Sequence, residues 1–129
     1  MIDEVRAANQ AFYDAHEAAS SVAMSAVGEQ FDRAVRVHPG WPILRGWPTV
    51  QEAWRQIFAG PHRNQFILTN EAVALHGDVA WVTVDENLVS VDGGATVAAT
   101  NVFARTDGVW LLVAHHGSAV VYRMTSDDD

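Results

Sequence analysis

The chain contains no cysteine and no lysine. The first absence excludes disulfides, zinc–thiolate sites, iron–sulfur clusters and a thiol nucleophile. The second leaves eight arginines against sixteen carboxylates, a formal charge of −8, with three of the negative charges in Asp127-Asp128-Asp129. Binding to nucleic acid by counterion release needs a basic face, which eight scattered arginines do not make, so no nucleic-acid partner is expected. No apolar run approaches the ~20 residues that cross a bilayer, and Met1-Ile2-Asp3-Glu4 opens with acids rather than a basic targeting segment. The expected compartment is therefore the cytoplasm, with no membrane partner. A glycine-rich phosphate loop, a Gly-x-Ser-x-Gly elbow and a His-Glu-x-x-His helix are all missing, so no cofactor is expected. His115 and His116 are neighbours that point to opposite faces of a strand and cannot chelate one ion from it, so no metal is expected either.

What is present suits one domain. At 129 residues and 49% hydrophobic content, the chain is long enough to bury roughly two thirds of its unfolded surface without staples. Residues 1–124 are read as that domain, and residues 125–129, small, polar and like-charged, as a disordered acidic tail.

The hydrophobic period changes once. From Asp3 to about Ala19, Val5, Ala8, Phe12, Ala15 and Ala19 recur at helical spacing, with Asp3 as the expected N-cap. Ser20-Ser21 breaks that helix and caps a short second one that Gly28 closes. Ala34 to His38 reads as a short strand stopped by Pro39-Gly40, and Pro48 to about Ala59 as a third helix. Segments near 64–76, 79–91, 95–106 and 109–121 are rich in Val, Thr, Phe, Leu and Trp. They are divided by His76-Gly77-Asp78, Asp92-Gly93-Gly94 and Thr106-Asp107-Gly108, three hairpin turns. Three helices followed by a long, mainly antiparallel meander make an α+β fold. Strands of about a dozen residues twist and curl, so helices packed on the sheet form a cone with an internal pocket.

The order of elements resembles the nuclear transport factor 2-like superfamily, and within it the SnoaL-like and ketosteroid-isomerase-like group. Its most specific stretch is Val37-His38-Pro39-Gly40-Trp41, continuing through Leu44-Arg45-Gly46 to Trp54 and Ile57-Phe58. Gly77 to Val82, Ala99-Thr100-Asn101-Val102-Phe103 and Trp110 to Ser118 add to it. The resemblance implies a cone with a pocket between helices and concave sheet, and a homodimer formed through the other sheet face. In the steroid isomerase a base-bearing strand ends in aspartate-proline, and the matching dipeptide here is His38-Pro39. Its oxyanion hole, a helix-1 tyrosine and a protonated aspartate, is matched by Tyr13 and Asn101. Many SnoaL-like relatives carry a tryptophan near the end of the second helix, where Gly28 stands here.

The residues themselves support several roles. Histidine ordinarily titrates near neutrality, so His38 suits a base, or else stabilises the turn before Pro39. Asn101, in an apolar and small-residue strand, needs a partner: an oxyanion, or a structural group such as Tyr13. Tyr13 either assists at the site or fills core with its hydroxyl at the rim. Glu86 falls on the apolar alternation of its strand and either orients His38 or another cavity group, or pairs with an arginine. Trp41, after the turn, is expected at the cavity mouth in contact with a ligand, and Trp47 and Trp110 in the core. By the isomerase match His115 faces the cavity and His116 the partner subunit. The leading function is a pocket for a small hydrophobic carbonyl compound with cofactor-free proton transfer, as in an isomerase or cyclase, carried by His38, Asn101 and Tyr13 with Trp41, Glu86 and His115 lining. The alternatives are a non-enzymatic dimeric domain binding a ligand or partner, and a hydrolase or dehydratase with a water held by His38 and Glu86.

Overall fold

The computed structural model describes residues 1–61, 63–90 and 93–122, so the expected acidic tail lies outside the described residues. Helices α1 (Ile2–Glu17), α2 (Ser21–Val27) and α3 (Trp47–Ala59) pack on a sheet of β1 (Val35–Val37), β2 (Leu44–Arg45), β3 (Phe66–His76), β4 (Val79–Leu88), β5 (Ala95–Thr106) and β6 (Val109–Ala119). The strand order is β2-β1-β6-β5-β4-β3, an α+β arrangement with a curved, unclosed sheet. No helix among the described residues is long and apolar enough to cross a membrane.

The antiparallel meander over β3 to β6 follows the expected segments, with β3–β4, β4–β5 and β5–β6 all antiparallel. β1 departs from it: it lies parallel to β6, with Arg36 opposite His115. α3 and four strands separate these neighbours in the chain, which removes the antiparallel constraint of a tight turn. β2 is an element the sequence reading lacked, because two residues carry no period; it pairs antiparallel with β1.

The N-cap of α1 lies two residues earlier than expected. Met1, not Asp3, is its N-cap, because the Met1 carbonyl accepts from the N–H groups of Glu4 and Val5. Ser20 does cap α2, its hydroxyl accepting from Ala23 N at 3.1 Å. Gly46 at φ +85° supplies the left-handed turn into α3, and Pro48 fills the first turn.

The core lies between the helices and the inner sheet face. Phe12, Trp54, Phe103, Leu112, Val82 and Val50 are its centre, with Trp47 and Trp110 buried as expected. Trp54 is ringed by Phe12, His16, His38 and Phe58. A Cβ on Gly28 would meet the Trp47 ring at 3.0 Å, so the missing side chain at the end of α2 is what seats that ring. On the outer face Ile67, Thr83, Trp81 and His116 are exposed.

Candidate functional site

The inner sheet face carries polar groups among aromatic ones. α1 presents Asn9 and Tyr13, one turn apart on its buried stripe, to Glu86 of β4, Asn101 of β5 and His115 of β6. All five are buried. The Tyr13 hydroxyl donates to Glu86 Oε2 at 2.5 Å and accepts from Asn101 Nδ2 at 3.1 Å. The same amide nitrogen donates to Asn9 Oδ1 at 2.9 Å, while Asn101 Oδ1 lies 2.6 Å from His115 Nδ1. With the amide in this orientation, His115 carries its proton on Nδ1. Asn9 Nδ2 donates in turn to Glu71 Oε2 at 3.2 Å, and Glu71 pairs with Arg6 at the rim. Glu71 reaches α1 from the bulge between Thr69 and Ala72, where Asn70 stands at φ +56°.

Of the alternatives for Glu86, it bonds another cavity group, Tyr13, rather than an arginine, because α1 lays Tyr13 over β4. Two readings of the sequence change here. The Tyr13 hydroxyl is buried at the centre of the network instead of reaching the rim. Asn101 has both amide hydrogens engaged by the protein, which leaves it none for an oxyanion in this arrangement.

Electrostatics follow burial. Loss of water pushes the Glu86 carboxyl up to about 7, against the hydrogen bond from Tyr13, which favours its anion. Burial, and then the neighbouring Glu86 charge, raises the Tyr13 phenol, so it remains a donor. Burial lowers His16 to about 4, and burial with the nearby His16 and Arg36 charges lowers His38 to about 4. His115 is pushed down in the same way. At neutral pH all three rings are uncharged.

A second group lies beside this network. The His38 ring stands edge-on to Trp54, centroids 4.6 Å apart, and to Trp41 at 5.3 Å; the His115 ring is 6.1 Å away. His38 does not bond the backbone of its turn through Nε2: that atom is buried without a partner, as is Trp54 Nε1. Arg36, in the middle of β1 and two residues before His38, which follows the strand's end, is fully buried. Its Nη1 donates to the carbonyls of Val35 and Val113 and its Nη2 to that of Leu112, while its Nε is unpartnered. Burial lowers its pKa only to about 10, so it stays charged.

Trp41 is 39% exposed and forms the wall between His38 and a surface cleft of about 400 Å³ lined also by Leu44, Pro48, Ala53 and Gln56. A depression of about 470 Å³ on the outer sheet face is lined by Asn70, Asp85, Thr100, His116 and Ser118, which places His116 opposite His115. Among the described residues no three metal-ligating side chains stand together.

Asn9, Glu71, His16, Trp54 and Arg36 were not singled out from sequence. Asn9 carried a usable signal, a polar residue at i+4 between Val5 and Tyr13 on an apolar stripe. Arg36 carried one too, since it shares strand parity with His38. Glu71 carried none, because a bulge overturns parity.

Comparison with known proteins agrees with this fold. A family model described as a SnoaL-like domain matches residues 5–122. A structure from Streptomyces avermitilis, provisionally named a dehydratase of the NTF2-like family, is 35% identical with a TM-score of 0.86, covering 94% of this chain and 97% of that one. A structure from Thiobacillus denitrificans, provisionally named a calcium/calmodulin-dependent protein kinase type II association domain, is 32% identical with a TM-score of 0.83, covering 89% and 94%. F-box protein SKIP8 of Arabidopsis thaliana is 31% identical over 85 residues, 66% of this chain but only 36% of that protein's length.

Proposed function

Because the chain belongs to the SnoaL-like domain family, within the NTF2-like superfamily, we propose that it binds a small hydrophobic carbonyl compound beside His38 and Trp54 and transfers a proton there. One observation carries the reading: two touching rings each hold a buried polar nitrogen without a partner, His38 Nε2 and Trp54 Nε1. A buried unpaired polar group costs about 1–3 kcal/mol, so two together point to a missing partner.

In this mechanism the substrate enters past Trp41 from the adjoining cleft. His38 Nε2 takes a proton from the carbon next to the carbonyl, the C–H pair moves into the enolate, and the carbonyl oxygen becomes the oxyanion. The Trp54 indole N–H donates to that oxygen. Return of the proton from His38 to another carbon completes an isomerisation. Asn101 acts as a positioning residue, holding Tyr13 and His115 through its amide. The name of the Streptomyces avermitilis relative favours the dehydratase variant, in which the same base initiates loss of a β-hydroxyl as water.

A thermal-shift screen of wild type and His38→Ala against steroids, aromatic polyketides and short carbonyl acids tests the reading. Saturation at 100 times the dissociation constant adds about 2.7 kcal/mol, a shift of several degrees in a domain of this size. A ligand that stabilises wild type only, and whose α-hydrogen exchanges with deuterium in wild type but not in His38→Gln, is the expected outcome. Binding undiminished in both variants with no exchange would overturn proton transfer and favour a binding module.

The outer face supports a second reading, a homodimer through the sheet. Trp81 and Ile67 are 40% and 60% exposed there, aromatic and aliphatic surface that a partner face would cover. Trp81→Arg is expected to halve the mass measured by light scattering; an unchanged mass counts against this interface.

A further inference from the structure

The surface cleft beside α3 is built on fixed pieces of the fold. Trp41 closes a turn in which its N–H donates to the His38 carbonyl at 2.8 Å and Gly40 takes φ +82°. Leu44 lies in β2, opposite Arg36 of β1. Pro48 and Thr49 stand in the first turn of α3, and Ala53 and Gln56 follow Thr49 at spacings of four and seven, on one face of the helix. Ala53, 4% exposed, is the buried member of this lining and forms its floor. The next residue, Trp54, lies in the core, so one turn of α3 borders both the cleft and the interior.

The chemistry of the cleft is that of a neutral, flat ligand. Its walls are the partly exposed Trp41 ring with Leu44 and Pro48. The lining holds no cation, and its one carboxylate, Glu52, is paired with Arg55 at 2.6 Å, so nothing there receives an anion. Thr49 and Gln56 supply a hydroxyl and an amide, uncharged donors and acceptors. The volume of about 400 Å³ lies within the range of about 300–1,000 Å³ typical of small-molecule sites. One ring is common to the cleft and the interior: Trp41 lines the first and stands 5.3 Å from the His38 ring.

We infer that the cleft is the outer subsite of the carbonyl site, and that the ligand is a neutral compound of two linked rings. Its carbonyl end lies by His38, and its far ring lies on Trp41 over Ala53 with a hydroxyl at Thr49 or Gln56. This rests on the proton-transfer reading and extends it from the reacting end to the rest of the molecule. It makes Ala53 a specificity residue, because a larger side chain on the floor takes the space of the far ring. Contacts made by that ring hold the carbonyl end at His38, which is how a remote part of a substrate contributes to a reaction it does not enter.

The test compares acetophenone, one ring, with 4-acetyl-4′-hydroxybiphenyl, two rings, by proton–nitrogen NMR titration of the whole chain. The Trp54 Nε1–H and Gln56 side-chain amide resonances are assigned from their loss in Trp54→Phe and Gln56→Met. In wild type the two-ring ketone is expected to bind at least tenfold more tightly and to move both resonances, and acetophenone to move Trp54 and leave Gln56 in place. Ala53→Leu is expected to abolish the tenfold preference. Because Ala53 is buried and its enlargement risks the fold, the wild-type resonances decide independently of the variant. Equal affinities, or a two-ring ketone that leaves Gln56 unmoved, would overturn the outer subsite, while a Trp54 shift keeps the interior site standing. A Gln56 shift without a Trp54 shift would overturn the union of cleft and interior. If neither ketone moves either resonance, both readings fall.

Discussion

The two halves of the interior differ in one respect, whether their polar atoms are satisfied. Around Asn101 the side chains of Asn9, Tyr13, Glu86 and His115 bond one another, and the chain continues to Glu71 and Arg6 at the rim. Around His38, whose ring lies 6.1 Å from that of His115, His38 Nε2 and Trp54 Nε1 have no partner, and neither has Arg36 Nε on the neighbouring strand β1. Both halves are equally buried, so burial does not distinguish them. A satisfied network rigidifies a core, whereas an unsatisfied one of the same depth stores a penalty that a bound molecule relieves. The proposed division of labour, positioning in the first half and binding in the second, rests on that difference.

Breaking the wall between the halves has the largest expected effect. Trp54 is 2% exposed and touches four other rings, so Trp54→Ala is expected to cost about 3–5 kcal/mol in chemical denaturation. Asn101→Ala comes next: it leaves Asn9 Oδ1 and His115 Nδ1 without partners and takes from the Tyr13 hydroxyl its donor, and a loss of about 3 kcal/mol is expected by the same measurement. Tyr13→Phe takes its donor from Glu86 and one acceptor from Asn101 Nδ2, which keeps Asn9, for about 1–3 kcal/mol. His38→Phe is the sharpest contrast, because it replaces an orphan by an apolar ring of similar shape and should change stability by less than about 1 kcal/mol. If His38→Phe cost as much as Asn101→Ala, the division into a satisfied and an unsatisfied half would fail.

The titrating groups separate the halves by pH. His16 and His38, lowered to about 4 in the fold, contribute stability that is present above their ordinary 6.5 and lost as pH falls toward 4. Glu86, raised to about 7, does the opposite: its contribution is present below its ordinary 4.5 and lost as pH rises through 7. Glu86→Gln is therefore expected to make the melting temperature climb more steeply between pH 4.5 and 7 than in wild type. Parallel profiles for the two proteins would show that Glu86 is ionised alike in the folded and unfolded chain.

Much of the scaffold is legible in the residues. The alternation of Ala80, Val82 and Val84 locates Glu86 on the inner face, and the stripe from Val5 to Ala15 locates α1. His38 stands out because a titratable residue precedes a proline turn. The partnerships do not stand out, because they join residues 62 to 92 positions apart in the chain: Asn9 with Glu71, Tyr13 with Glu86, Asn101 with Asn9. β1 against β6 is of the same kind, a parallel pairing between strands separated by most of the fold.

What the sequence determined by itself was the local order: which segments coil, which extend, where they turn, and which side chains share a face, because periods of 3.6 and 2 are properties of neighbouring residues. From the absences in its composition it also bounded the chemistry, excluding thiols and a basic nucleic-acid face. Only the tertiary structure decided which polar groups find partners and which are left wanting one. A hydrogen bond depends on distance and direction at the level of a few tenths of an ångström, and α1 lying across β4 and β5 sets those for Tyr13 and Asn101 while leaving Arg36, His38 and Trp54 with nitrogens that nothing in the chain reaches.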